Sequence, residues 1–301
     1  MSSTAGTRIG VIVNPTSGRG KGLIAGKVVF ATLQAAGVDS VDLSAESMDA
    51  ALAAGRHAIA NKAVTAIVVV GGDGMAHLGA NLCALTGIPL GIVGVGTGND
   101  SARSLGFPVD NAEAATRFII ERLDSTRPID AIKLHSSTGQ HWVLGTASAG
   151  FDALVNQRAN QMSWPKGPRR YEIAMLLELA KFKPLQYELE IDGQKRKIEA
   201  MLCAVANAPA FGGGMLVAPE AKMDDGLLDV FIVHKISRAE LVKIFPSVYT
   251  GGHATHPAVE FVRAKHVKIN SGQMPAYADG EAVGRGPLQC ELVAGALQVF
   301  G

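Results

Sequence analysis

The sequence is poor in cysteine, in aromatic residues and in charge: three cysteines in 301 residues, 5% Phe, Trp and Tyr, and 18% Asp, Glu, Lys and Arg. Cys83, Cys203 and Cys290 are an odd number, widely separated, each in an apolar run. They have neither the spacing of a zinc site nor the density of a disulfide framework, and they read as reduced core residues of a cytoplasmic protein. Net charge is missing too: 28 Lys and Arg against 27 Asp and Glu leave +1. Without a basic field, binding nucleic acid as a general coat is excluded. No run approaches about 18 uninterrupted apolar residues, so no spanning helix is expected. Met1 to Thr7 lacks the basic-then-apolar order of a secretory signal.

What the sequence does have is apolar bulk and glycine. Hydrophobic residues make up 48%, enough to fill proper cores, and at roughly 150 residues per domain the length predicts two domains. The 35 glycines are clustered. In the first third, three apolar runs each end in a glycine-rich turn. Ile9 to Val13 enters Asn14-Pro15-Thr16-Ser17-Gly18-Arg19-Gly20, Ile67 to Val70 enters Gly71-Gly72-Asp73-Gly74, and Leu90 to Val95 enters Gly96-Thr97-Gly98-Asn99-Asp100. Runs without polar alternation predict strands buried on both faces, as in a parallel sheet of βα units. Ligands gather at the carboxyl ends of such strands, where all three turns sit.

After about Asp130 the pattern changes. Tyr187 to Ile191 alternates apolar and polar residues and runs into Asp192-Gly193, a hairpin signal. Ala200 to Ala206, Leu228 to Val233, Val259 to Val262 and His266 to Ile269 are further strand candidates, and Ile173 to Phe182 keeps helical spacing. The expected architecture is an α/β nucleotide-binding domain over 1–130 and a β-rich domain over 131–288. Leu292 to Phe300 is an apolar stretch that the pattern leaves unassigned.

Gly71-Gly72-Asp73-Gly74 is the sharpest motif. Its glycines let backbone N–H groups approach phosphate oxygens, and a helix N-terminus follows. An acidic residue inside a phosphate cradle implies Mg²⁺ or a hydrogen bond to an attacking hydroxyl; the alternative is a tight turn with a capping Asp. Three polar, glycine-rich turns on one rim suit a nucleotide polyphosphate. The Walker A pattern fails at Pro15 and Gly22, and the dinucleotide pattern fails at Leu23 and Ser101.

Two acidic clusters stand in the second half. Lys222-Met223-Asp224-Asp225-Gly226-Leu227-Leu228-Asp229 suits either a hard-cation site or an Asp-Gly hairpin. Asp279-Gly280-Glu281 reads either as paired carboxylates or as a type I′ turn. His253 and His256, with no third ligand near, read as a solvated loop. Trp164-Pro165-Lys166-Gly167-Pro168-Arg169-Arg170-Tyr171 reads as a lipid-headgroup contact or an ordinary loop.

In this order and spacing, these motifs together with Asn207 and Gly212-Gly213-Gly214 resemble the diacylglycerol kinase catalytic family, whose soluble bacterial members also resemble sphingosine kinases. The resemblance implies a three-layer, Rossmann-like first domain that binds ATP, a β-sandwich second domain, a lipid site in the cleft between, and a chain end, 289–301, that returns to the first domain. It implies nucleotide contacts from Asn14, Ser44 (where Thr is usual), Gly72, Asp73, Gly74, Met75 and Thr97; Pro15, Ser17, Gly18 and Asn99 belong to the same turns. It implies a structural Mg²⁺ on Asp225 with the carbonyls of Lys222 and Leu227, and a base within Asp279-Gly280-Glu281. Asp73, with Asp100, is expected near the catalytic metal. Met75, His77 and Leu78 replace the usual Thr, Asn and Glu. The expected activity is ATP- and Mg²⁺-dependent phosphorylation of a lipid hydroxyl, with diacylglycerol as acceptor, by a protein peripheral to the inner face of the membrane, with a homodimer as a possible assembly. An NAD kinase, which shares the Gly-Gly-Asp-Gly turn, and a silent nucleotide- or lipid-binding module are the rivals.

Overall fold

A computed structural model describes residues 6–164, 170, 173, 174, 177, 178 and 183–301. The chain forms two compact units, one ending at Asp130 and regaining Gly295–Gly301, the other Ala131–Ala294.

The first unit is built on strands β1 (Arg8–Val13), β2 (Asp39–Asp42), β3 (Ala66–Gly71) and β4 (Pro89–Gly94). Their order is β2-β1-β3-β4, all parallel, and the end of the last strand, Leu288–Phe300, adds parallel to β4 through Gln298 and Val299. Helices α1 (Ser17–Ala35), α2 (Met48–Ala60), α3 (Asp73–Cys83), α4 (Asp100–Ser104) and α5 (Ala112–Ile120) connect them. Successive residues of a strand face opposite sides, and β4 shows the consequence. Leu90 lies against Gly79 of α3, whereas Gly91 lies against Ile119 of α5. Helices therefore cover both faces, which is why every residue of β3 is buried. Ser47 caps α2 and Asn111 caps α5, each accepting a backbone N–H.

The second unit is antiparallel. It contains β5 (Thr126–Ser136, entering from the first unit), β6 (Gly139–Val143), β7 (Thr146–Ala149), α6 (Phe151–Gln161), β8 (Leu185–Ile191), β9 (Gln194–Ala206), β10 (Leu228–His234), β11 (Val259–Ala264), β12 (His266–Asn270), β13 (Pro275–Ala278), β14 (Glu281–Arg285) and the start of β15 (Leu288–Phe300). The path β14-β13-β7-β9-β8-β12-β15 is extended by β10 on β9 and β11 on β10. Leu288 to Glu291 pair with β12, so the return to the first unit begins at Gly295 rather than at 289. Val230 and Ile232 enter one core with Val205 and Cys203, whereas Phe231 and Val233 enter another with Met201. Both faces of β10 are thus buried in a β-sandwich-like domain. All three cysteines are free and buried, and burial pushes the Cys290 thiol up to about 12. Lys166 and Arg169 of the basic segment lie outside the described residues, as does part of the helical pattern over 173–182. Among the described residues no helix is long and apolar enough to cross a membrane.

Candidate functional site

In the first unit the three glycine turns meet. Asn14 follows β1, and its Oδ1 accepts from the Thr16 N–H (3.0 Å) and hydroxyl (2.8 Å), a self-closing Asx turn. Pro15 is exposed; Ser17, Gly18 and Gly74 are half-buried. Gly18, Arg19 and Gly20 all have positive φ, so regular helix starts only after them. A Cβ on Gly18 would strike the Val95 carbonyl, and one on Gly96 would strike the Gly72 backbone. The Val95 N–H donates to the Gly71 carbonyl at 2.8 Å. Backbone therefore touches backbone across the turns, and only glycine leaves the room. Ser44 Oγ accepts the Val13 N–H at 2.9 Å and so braces the end of β1.

Asp73 is the first residue of α3, and its Oδ1 accepts the Ser101 N–H at 3.0 Å, linking the starts of α3 and α4. Gly72, rather than Asp73, caps α3. Asn99 is buried with φ 57°; its Oδ1 accepts from Gly96 N–H (2.7 Å) and its Nδ2 donates to the Gly96 carbonyl (3.2 Å). That closure leaves Thr97 exposed at the tip of the turn. Asp100 is buried and accepts from Arg103 Nη1 at 2.9 Å. Met75 is 3% exposed and folds back beneath Gly71, so it fills the core under the turn. The first N–H groups of α3 have no acceptor within the helix, and with the dipole they favour an anion there. Among the described residues no group of three or more His, Cys, Asp or Glu converges on one point. A hard cation at Asp73 fits as a carboxylate-held ion completed by phosphate oxygens and water.

In the second unit Asp279 and Gly280 form the two-residue loop between β13 and β14, with φ 49° and 83°, as a type I′ turn requires. The Asp279 side chain nevertheless points inward and is 6% exposed. It accepts backbone N–H groups from Leu144 (2.9 Å), Gly145 (2.8 Å) and Thr146 (3.3 Å). A Cβ on Gly145 would lie 3.0 Å from Asp279 Oδ1, so glycine permits that approach. Asn207, fully buried, donates Nδ2 to the Leu144 carbonyl and its N–H to the Gly145 carbonyl, fixing the same turn. Glu281, at the other end of the loop, is exposed.

Thr146 also borders an apolar pocket between β9–β10 and residues 241–253. Met201 and Phe231 line one side, Leu241, Phe245 and Val248 the other, and the Thr146 hydroxyl is buried there without a hydrogen-bond partner. His253 corrects the solvated-loop expectation. The 3₁₀ turn Gly252–Thr255 directs it inward, 1% exposed, edge-on to Phe231, with Nε2 at 3.1 Å from the Val217 carbonyl. Burial holds its pKa below the usual value, so the pocket wall is uncharged at neutral pH.

The acidic segment Lys222 to Asp229 forms a turn at the entry to β10 and not a hairpin.

 

At that turn Asp225 Oδ1 accepts the Leu227 N–H at 3.1 Å, and its other oxygen is ion-paired with Arg263. Asp229 is buried, with Oδ2 lacking a hydrogen-bond partner. Burial pushes its carboxyl above the usual range, Arg263 pulls it down, and Asp225 and Glu220 push it up again. The orphaned oxygen fits a hard cation, which would supply its missing partner.

Residues 8–134 match the diacylglycerol kinase catalytic domain, and residues 145–301 match the YegS C-terminal NAD kinase beta sandwich-like domain. A diacylglycerol kinase of Mycobacterium tuberculosis strain H37Rv is 37% identical over 299 residues, covering 97% of this chain and 94% of that one. The chain belongs to the diacylglycerol kinase family. This lipid kinase is also 29% identical to a diacylglycerol kinase of Bacillus subtilis, over 93% of this chain and 91% of the relative. A crystal structure of a diacylglycerol kinase from Bacillus anthracis shares the fold at TM-score 0.71 and 22% identity, over 97% of this chain and 96% of that one. An ATP-bound NAD kinase from Archaeoglobus fulgidus shares it more distantly, at TM-score 0.53 and 13% identity, over 98% and 94%.

In this lipid kinase the structure brings Asn14, Ser17, Gly18, Gly72, Asp73, Gly96 and Asn99 together in the first unit, and Asp279 with Thr146 in the second. Sequence reasoning missed Leu144-Gly145-Thr146, His253 and Arg263. Gly145 was the one local signal, a glycine between two strand-like runs, and it is silent about the carboxylate 134 positions away that it admits.

Proposed function

We propose that this lipid kinase transfers the terminal phosphate of ATP to the free hydroxyl of diacylglycerol, giving phosphatidic acid and ADP. The observation that carries this reading is the position of Thr146. Its N–H holds the Asp279 carboxylate while its side chain borders the apolar pocket. An acyl chain in that pocket would bring its glycerol end toward Asp279. The uncharged, apolar wall suits a fatty chain and not the charged ribose phosphates of NAD, which favours the lipid over the NAD kinase reading.

The three glycine turns and the start of α3 support the triphosphate, with Asn14, Thr97 and the backbone around Gly72 and Gly74 as the nearest polar groups. Asp73, with Asp100, would hold Mg²⁺, which would supply charge neutralisation on the transferred phosphoryl group. Asp225 with the carbonyls of Lys222 and Leu227 would hold a second, structural Mg²⁺. The hydroxyl oxygen attacks the terminal phosphorus, the bond to ADP breaks, and the hydroxyl proton passes to a carboxylate of the Asp279–Glu281 pair. Asp279, anchored beside the pocket, is the group that orients the hydroxyl. The kinase would meet this substrate at the inner face of the membrane.

The test is incubation of the purified kinase with radiolabelled ATP and Mg²⁺, with diacylglycerol and NAD as separate acceptors. Label is expected in phosphatidic acid alone. Asp73→Asn, which keeps an oxygen for the Ser101 N–H, is expected to keep its fold and lose turnover by about a hundredfold or more. Label in NADP would sink the proposal, and ATP binding without transfer to any lipid would leave a silent binding module.

A further inference from the structure

The pocket's outer wall is a segment that is apolar on both sides. Residues 238–250 run as a short helix, Arg238–Ile244, continued by a 3₁₀ turn, Phe245–Thr250. Leu241, Phe245 and Val248 face the pocket. On the opposite side Ala239, Val242, Pro246 and Tyr249 follow one another at spacings of three, four and three and are all exposed. Val242 is 45% and Tyr249 40% exposed. A surface helix facing water keeps that face polar, and here an apolar stripe interrupts it.

Its charges say what the neighbour is. Arg238 and Lys243 flank the outer stripe and are exposed. The only carboxylate of the segment, Glu240, lies 3.5 Å from His256 Nε2. An apolar stripe carrying a tyrosine and flanked by cations matches the headgroup boundary of an anionic bilayer, where apolar side chains enter the acyl region and cations meet lipid phosphates.

We propose that the outer face of residues 238–250 docks on an anionic bilayer and that the pocket behind it is filled from that side. The inference rests on the acyl-pocket reading above. Val242 and Tyr249 do not line the pocket, so docking and turnover can be separated.

The experiment measures binding to vesicles of equal parts phosphatidylcholine and phosphatidylglycerol at low salt, and turnover of dioctanoylglycerol, which needs no vesicle. Ala239→Asp combined with Val242→Asp is expected to weaken vesicle binding by about tenfold or more, since it places carboxylates where apolar area would be buried. Turnover of the short-chain lipid is expected to stay within about twofold of the parent. A second variant needs no disruption. The native cysteines are buried, so Val242→Cys can be labelled selectively with an environment-sensitive fluorophore. Its emission should shift to the blue on these vesicles, while the same label at Lys197→Cys, on the charged face of β8–β9, should not shift. Vesicle binding unchanged in the double variant, or a silent label at 242 on bound protein, overturns the docking face and leaves the pocket reading standing. Loss of short-chain turnover together with binding overturns it by making the segment structural. A dimer that the double variant dissolves overturns it in favour of a second copy of the chain. A parent that does not phosphorylate dioctanoylglycerol would instead break the acyl-pocket reading.

Discussion

At the scale of single residues, Asp279 is held in place by the backbone N–H groups it faces. Asparagine would place an NH₂ group against backbone donors that now meet carboxylate oxygens. Asp279→Asn is therefore expected to lower the melting temperature as well as turnover. A buried donor left unsatisfied costs about 1–3 kcal/mol, and in a protein of this size each kcal/mol is worth roughly 2–4 °C. Calorimetry beside a kinase assay checks this, and a melting temperature equal to the parent's would show that the cradle tolerates the amide. Glu281→Gln, at an exposed position, should leave the melting curve unchanged. The sequence marks both acids but cannot say which is buried, because Leu144 to Thr146 and Asp279 become neighbours only in the folded unit.

Among elements, the glycine turns behave as one joint. Gly72 and Gly96 lie so close that a side chain on either strand end meets the opposite backbone, which cannot rotate away. Gly96→Ala should therefore push two turns apart and weaken ATP binding by about tenfold or more. Gly20→Ala meets nothing within 4 Å. Its cost is that of a positive φ alone, roughly 1 kcal/mol, with ATP affinity kept. Isothermal titration of the two variants separates close packing from backbone strain, and equal losses in both would refute the joint. The runs that form β1, β3 and β4 are legible because burial on both faces removes the polar alternation. β2, Asp39–Asp42, is not, since Asp39 and Asp42 are exposed and no apolar run announces it.

On the scale of the whole molecule, a cation bound at the acidic turn before β10 would link stability to metal. A cation bound only by the folded state stabilises it by about 2.7 kcal/mol at a hundred times its Kd. Chelation is expected to lower the melting temperature, and Asp225→Ala should abolish the effect. Without cation the sign at Asp229 is opposite to that of an ordinary surface carboxylate. Its folded pKa is raised chiefly by burial, so its contribution to stability is fully present below the unfolded value, about 3.9, and is lost as pH rises through the folded value. Asp229→Asn should thus raise the melting temperature of the metal-free protein at neutral pH, with the gain fading toward acid. A melting curve indifferent to chelator in both proteins would leave Arg263 as the sole counter-charge.

The sequence alone determined the features that act through neighbours on the chain: the buried strands, the glycine turns, the hairpin at Asp192-Gly193, and the order of motifs that marks the family. These follow from steric limits and side-chain periodicity, which a few consecutive residues express. Tertiary structure decided what depends on contacts between distant segments. It turned Asp279 inward onto Leu144 to Thr146, folded Met75 into the core beneath Gly71, carried His253 into an apolar pocket, and moved the return to the first unit to Gly295 by pairing Leu288 to Glu291 with β12. Burial and hydrogen bonding across long separations are properties of the packed chain, and no local pattern encodes them.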